Sequence, residues 1–191
     1  MVKAFFIVAV LFFLQGCSYL QSEIGTRMQA RQFVVDKKWV RNTLSADHLG
    51  FRHPHRMTPI VTDTMIIQGN GLDGLAAYDR ESGHELWRIH IKGGVEAGAV
   101  LAGQNLFFGG SDGFFYSVNS QNGEIKWQFP VRAEVLSRPT LLQNKVYFIA
   151  GNNRLFSLAA EDGKLLWSYS RQEGSILSIR GGSQPTISHN K

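Results

Sequence analysis

FFYSVNSQNGEIKW, residues 114–127, is the stretch that decides the fold. It opens with alternating apolar side chains, breaks at a polar turn ending in Asn122-Gly123, and resumes as a short run closed by Trp127. Alternation is the period of a half-buried strand, and Asn-Gly supplies the positive φ that a chain reversal needs, so the segment predicts a β-hairpin. The same shape returns on either side as LAAYDRESGHELW (75–87) and LFSLAAEDGKLLW (155–167). Trp87, Trp127 and Trp167 are forty residues apart, and Gly83, Gly123 and Gly163 each stand four residues before the tryptophan.

Each hairpin follows two further strand-like runs. PIVTDTMIIQG (59–69), AVLAGQNLFFGG (99–110) and PTLLQNKVYFIAG (139–151) each place a polar turn between short apolar stretches. Pro59, Ala99 and Pro139 keep the forty-residue interval. Every period therefore holds four short antiparallel strands, which is the signature of a β-propeller blade. The expected class is all-β, with blades at approximately 57–93, 97–133 and 137–173 and the start of another at 183–191. A β-sandwich with accidental spacing fits less well, because Trp, Gly and the Pro/Ala position share one interval. FVVDKKWV (33–40), around Trp39, reads as a blade-closing outer strand. Three complete periods are fewer than the four to eight blades that close a propeller. The chain is accordingly expected to be a fragment, a shortened reading frame or one part of a split propeller, with an open sheet edge and an apolar blade face exposed.

The 191 residues are 43% hydrophobic and 18% charged, enough for one sizeable core. Lys and Arg are scattered despite the net charge of +5, so a solvated basic surface is favoured over a nucleic-acid patch. Residues 1–16 have the form of a signal segment: Lys3, then the uncharged apolar run AFFIVAVLFFL (4–14), too short to span a bilayer comfortably. Leu14-Gln15-Gly16-Cys17 resembles the bacterial lipobox. The resemblance implies diacylglyceryl transfer to the Cys17 thiol, cleavage before it and acylation of its amine. Residues 17–32 would then be a lipidated linker, anchored to a membrane without crossing it. Ser18, in place of the Asp that retains lipoproteins in the inner membrane of enteric-type bacteria, implies the outer membrane, facing the periplasm. Cys17 is the single cysteine, which leaves no internal disulfide and no cysteine metal site.

Catalytic patterns are weak. Asp79, Glu81, Glu85, Asp112, Glu124, Glu161 and Asp162 lie in or beside repeat turns, where acidic side chains shape the local backbone. His48, His53 and His55 crowd SADHLGFRHPHR, but Asp47 alone accompanies them, so a solvated loop is favoured over a metal site. GNGLDG (69–74) has dinucleotide-type glycine spacing between two strands, with no helix after it. No cofactor or metal is expected.

The rhythm is interrupted twice. Trp87 to Ala99 and Trp127 to Pro139 are both twelve residues, whereas Trp167 to Pro185 is eighteen and Trp39 to Pro59 is twenty. The insertion after Trp167 falls on GSILSIRGG (174–182), three aliphatic side chains beside one Arg. Such a loop either tucks under the propeller as a satellite core or presents an apolar anchor with a guanidinium for directional contact.

NSQNGEIKW and AAEDGKLLW resemble the repeats of pyrroloquinoline-quinone-type propellers. With the lipobox and SIRGGSQPT (178–186), the chain resembles the BamB-type family of outer-membrane-protein assembly factors, over Leu14 to the C-terminus. The resemblance implies an eight-bladed fold whose N-terminal strand completes the last blade. It implies a non-catalytic lipoprotein that docks on the barrel-forming subunit of the β-barrel assembly machinery, and unfolded outer-membrane proteins as further partners. The loop positions that meet the barrel-forming subunit in the family fall on Leu177, Ile179 and Arg180. Other members of the repeat family are quinoprotein dehydrogenases, so a quinone- and calcium-binding redox protein is the alternative, as is a propeller lipoprotein of another envelope complex.

Overall fold

The computed structural model describes residues 36–44, 56–170 and 184–188. The chain divides into two units, Met1–Lys37 and Lys38–Lys191. Of the first, residues 36 and 37 are described, and they carry no regular secondary structure. In the second, the forty-residue rhythm becomes three four-stranded antiparallel sheets, each a meander. Blade 1 consists of β1 (Ile60–Val61), β2 (Met65–Asn70), β3 (Gly74–Asp79) and β4 (Glu85–His90). Blade 2 consists of β5 (Val100–Ala102), β6 (Asn105–Gly109), β7 (Phe114–Asn119) and β8 (Ile125–Pro130). Blade 3 consists of β9 (Thr140–Leu142), β10 (Lys145–Ile149), β11 (Arg154–Ala159) and β12 (Leu165–Ser170). The short turns between the first two strands are tighter than the polar runs suggest, since Asn105 and Lys145 already belong to strands. Gln143 and Asn144 reverse the chain with φ of 49° and 61°.

Strand alternation gives each blade two faces. Ile67, Leu75, Ala77, Trp87 and Ile89 of blade 1 pack on Leu106, Phe108, Tyr116 and Val118 of blade 2 in one buried cluster. The next cluster repeats the pattern forty residues on, with Phe107 and Phe115 of blade 2 against Val146, Phe148, Phe156 and Leu158 of blade 3. Blade 2 thus lies between the other two, one of its faces covered by blade 1 and the other packed on blade 3. Phe115 and Phe148 stack across the second interface with centroids 4.1 Å apart.

A β-bulge recurs at the same place in every blade. Register slips between Ala77 and Tyr78, between Ser117 and Val118, and between Ser157 and Leu158. The slip sets Trp87 opposite Ala77, Trp127 opposite Ser117 and Trp167 opposite Ser157. Bulges re-aim side chains, and here the small cross-strand neighbour leaves room for an indole to lie over the sheet.

Residues 36–44 run without strand pairing, as do residues 184–188. The latter lie beside blade 3, where the Thr140 hydroxyl donates to the Pro185 carbonyl at 2.6 Å.

Candidate functional site

The repeat tryptophans and glycines meet between blades, not within them. The β3–β4 turn of blade 1 closes with Gly83 N–H donating to Asp79 O at 2.8 Å, and blade 2 repeats this from Gly123 to Asn119 at 2.8 Å. The glycines hold φ of 70°, 74° and 72° at Gly83, Gly123 and Gly163, the left-handed region that side chains resist. The glycine also leaves space for a ring. A Cβ on Gly123 would stand 2.8 Å from the Trp87 indole, and one on Gly163 would stand 2.5 Å from that of Trp127. Each indole then donates from Nε1 to the carbonyl three residues before the glycine: Trp87 to Ser120 at 3.0 Å and Trp127 to Ala160 at 3.2 Å.

Trp39 joins this series although it belongs to no blade. It donates to Arg80 O at 3.0 Å, and a Cβ on Gly83 would stand 2.6 Å from its ring. The strap around it is held at four further points. Lys38 pairs with Glu81 at 2.7 Å, and Arg41 Nε donates to Gly83 O at 2.8 Å. Asn70 Nδ2 and Arg88 Nη1 both donate to Thr43 O, each at 3.1 Å. Arg88, whose side chain is only 9% exposed, also reaches Asp73 at 3.3 Å, Tyr78 at 3.1 Å and Glu85 at 3.0 Å through Nε. The Glu85 hydrogen bonds push its pKa up, so the guanidinium keeps its charge. Burial raises the Tyr78 phenol against the opposing pull of Arg88. Sequence spacing hides Trp39, which lies forty-eight residues before Trp87. The sequence reading places Trp39 in a blade-closing outer strand over 33–40; residues 36–40 instead carry no strand, and what Trp39 supplies is an indole for the Gly83 turn.

A cavity of about 350 Å3 lies between this strap and blade 1, with Ile66, Gln68 and Tyr78 on the blade side. Ile66 and Gln68 are half-buried, whereas their equivalents Leu106 and Phe108 in blade 2 and Val146 and Phe148 in blade 3 are fully buried. At the other end, Trp167 is 44% exposed and Tyr169 61%. Trp87 in the same position is 9% exposed.

Three of the turn carboxylates, Asp79, Asp112 and Asp162, accept from backbone N–H groups close in sequence. Asp79 accepts from the Ser82 N–H and hydroxyl, both at 2.7 Å, and these bonds hold its carboxyl below the usual range. Glu81 is lowered by its hydrogen bond from Lys38. Asp112 accepts from Phe114 N–H and from the Tyr116 hydroxyl, and Asp162 accepts from Lys164 N–H. Burial, followed by that Asp112 contact, pushes the Tyr116 phenol well above its ordinary value. Among the described residues no three His, Cys, Asp or Glu side chains gather as metal ligands. Cys17, His48, His53 and His55 lie outside the described residues, as do Leu177, Ile179 and Arg180 of the inserted loop.

Three stacked four-stranded blades joined by an indole-on-glycine contact define an arc of a β-propeller of the pyrroloquinoline-quinone repeat type. The model of the family described as outer membrane protein assembly factor BamB matches residues 73–191, so the chain belongs to that family. BamB from Moraxella catarrhalis superposes with a TM-score of 0.51 at 19% identity, over 60% of this chain and 36% of that one. A quinohemoprotein alcohol dehydrogenase from Pseudomonas putida HK5 gives 0.53 at 18% identity over 63% and 21% of the two chains. A quinohemoprotein alcohol dehydrogenase from Comamonas testosteroni gives 0.54 at 16% identity over 62% and 21%. The chain thus spans about a third of the length of the solved BamB, and these identities show likeness of fold. No curated protein sequence matches the chain.

Proposed function

We propose that the chain is a non-catalytic scaffold of outer-membrane protein assembly, lipid-anchored through Cys17 at the periplasmic face and docked on the barrel-forming subunit of the assembly machinery. The observation that carries this reading is the match to the assembly-factor family across residues 73–191, a span that contains the inserted loop 174–182. Leu177 and Ile179 supply apolar burial in the docked state. Arg180 supplies a charged donor for a carboxylate or carbonyl of the partner. The engagement of the turn carboxylates with local backbone and side chains favours docking over quinone-dependent oxidation. Unfolded barrel proteins would be reached through the partner, or directly by strand addition at an open blade edge.

The test is co-purification of the full chain with the barrel-forming subunit. Leu177→Ala combined with Arg180→Ala abolishes recovery of the subunit and leaves the far-ultraviolet β signal unchanged. Undiminished recovery contradicts the assignment of the loop.

A further inference from the structure

The two ends of the blades carry different charge. In blade 1 the β1–β2 and β3–β4 turns share one end, where Arg80 N–H donates to Thr64 O at 2.9 Å, and Ser120 to Gln104 and Ala160 to Asn144 repeat the contact. The β2–β3 turn and the connections between blades share the other end, where Ile91 N–H donates to Asp73 O and Val131 N–H to Gly113 O, both at 2.9 Å. Among the described residues of the blades, every exposed carboxylate lies at the turn end: Asp63, Glu81, Glu85, Glu124, Glu161 and Asp162. Lys126, Lys145 and Lys164 stand among them. At the connection end the carboxylates are withdrawn. Asp73 pairs with Arg88, Asp112 accepts from the Tyr116 hydroxyl, and Glu96 is 3% exposed. The exposed charged side chains there are cations, among them Lys92, Arg132, Arg138 and Arg154. None of these four forms an ion pair with a described carboxylate. Blades stack through their faces, so both ends of each blade meet solvent whatever flanks the stack.

From this we infer that the connection end is a contact surface for a carboxylate-bearing protein surface, which, resting on the docking reading above, belongs to the barrel-forming subunit. Cations gathered without exposed anions between them raise a positive potential that speeds encounter with an acidic patch and fixes its orientation. Three of the four are arginines, whose guanidinium matches a carboxylate with two parallel hydrogen bonds. β12 finishes at this end, with Ser170 opposite Arg154, so the stretch that leads to the docking loop begins here. The strap argues for a protein over lipid headgroups. It enters at the turn end, with Lys38 on Glu81 and Trp39 on the Arg80 carbonyl, and reaches Asn70 and Arg88 only at Thr43. A chain held to a membrane through its N-terminal side thus meets blade 1 at the end opposite the free cations.

Affinity of the full chain for the barrel-forming subunit, both in detergent and over a range of salt concentrations, tests this. The parent binds more weakly as salt rises, because exposed charges are screened. Lys92→Gln with Arg132→Asn and Arg154→Gln lowers affinity by about tenfold or more at low salt and flattens the salt dependence. Asn accepts the positive φ of 61° at position 132, so the β signal is kept. Lys126→Gln with Lys145→Gln and Lys164→Gln removes the same charge from the turn end and leaves affinity within about twofold of the parent. Equal affinities for the parent and both variants overturn the inference and leave the docking reading standing, and so do equal losses in the two variants. A parent that does not bind the subunit at any salt overturns the docking reading, and this inference falls with it. Vesicles of anionic phospholipid that draw the parent, but not the connection-end variant, off the subunit assign the cations to a membrane and overturn the inference. Should the triple variant not fold, Lys92→Gln with Arg154→Gln decides by the same comparison.

Discussion

Trp87 lies on Gly123 of the following blade, donating to the Ser120 carbonyl at 3.0 Å, with its ring where a Cβ on that glycine would be. One contact thus joins a sequence motif of one period to that of the next. The tryptophan completes its own hairpin and closes its neighbour's turn. Because Trp127 and Gly163 repeat it, the stack is ordered by a relation between blades that each blade carries in its own sequence.

The tryptophans should differ in cost although their motifs are alike. Trp87→Phe keeps most of the burial but leaves the Ser120 carbonyl without its indole donor, a loss of about 1–2 kcal/mol. Trp87→Ala empties a buried site and should cost about 3–5 kcal/mol. Trp167→Ala, at a side chain 44% exposed, should change stability by no more than about 0.5 kcal/mol. Guanidinium unfolding of the three variants checks the order, and a Trp167→Ala cost equal to that of Trp87→Ala would refute it.

Alkaline stability should depend on Tyr116. Its phenol is raised above its ordinary value, so the folded chain holds this proton more tightly than the unfolded one. The contribution is complete below about pH 10, the ordinary phenol value, and is lost as pH rises through the higher folded value. Tyr116→Phe should therefore show a shallower decline in stability above pH 10 than the parent. It should also remove the last-titrating part of the tyrosinate absorbance. An unchanged alkaline slope would argue against a phenol raised by burial and by the Asp112 contact.

Arg88 ties the strap to blade 1 through the Thr43 carbonyl while paired with Asp73 and Glu85. Arg88→Met leaves the Asp73 carboxylate without this cation and should cost about 3 kcal/mol. The strap should loosen as well, so trypsin should cut at Lys37, Lys38 or Arg41 sooner than in the parent. The exposed Lys38–Glu81 pair contributes little by comparison, and Lys38→Met should leave the unfolding midpoint close to that of the parent.

The blades were legible because their signals are local. Alternating side chains, turn glycines and a fixed interval of forty survive in a linear reading, and the three meanders follow them. What was hidden is which partner each signal meets. Nothing in the spacing says that Trp87 belongs to Gly123 and not to Gly83, since that pairing follows from blade stacking. The bulge opposite Ala77, Ser117 and Ser157 was equally silent, because small residues in strands have many causes. Trp39 was singled out as part of a blade-closing strand, but its lengthened connection to blade 1 hid that its indole meets Gly83. Arg88 looked like one more scattered cation, and its role depends on the strap carbonyl brought to it by the fold. The loop at 174–182 was singled out by an interrupted rhythm and by family resemblance, and it lies outside the described residues.

The central claim is that an indole on a turn glycine locks each blade to the next, and two glycines separate that contact from backbone strain. Gly103 has φ of 59° with nothing near its would-be Cβ, while Gly123 has φ of 74° and the Trp87 ring 2.8 Å away. Both substitutions to alanine carry the left-handed backbone penalty of about 1 kcal/mol. Only Gly123→Ala must also displace the indole, adding about 1–3 kcal/mol of overpacking. Denaturant unfolding of the two variants side by side is the direct measurement. The account predicts that Gly123→Ala is the less stable by that margin; equal stability of the two variants would contradict it.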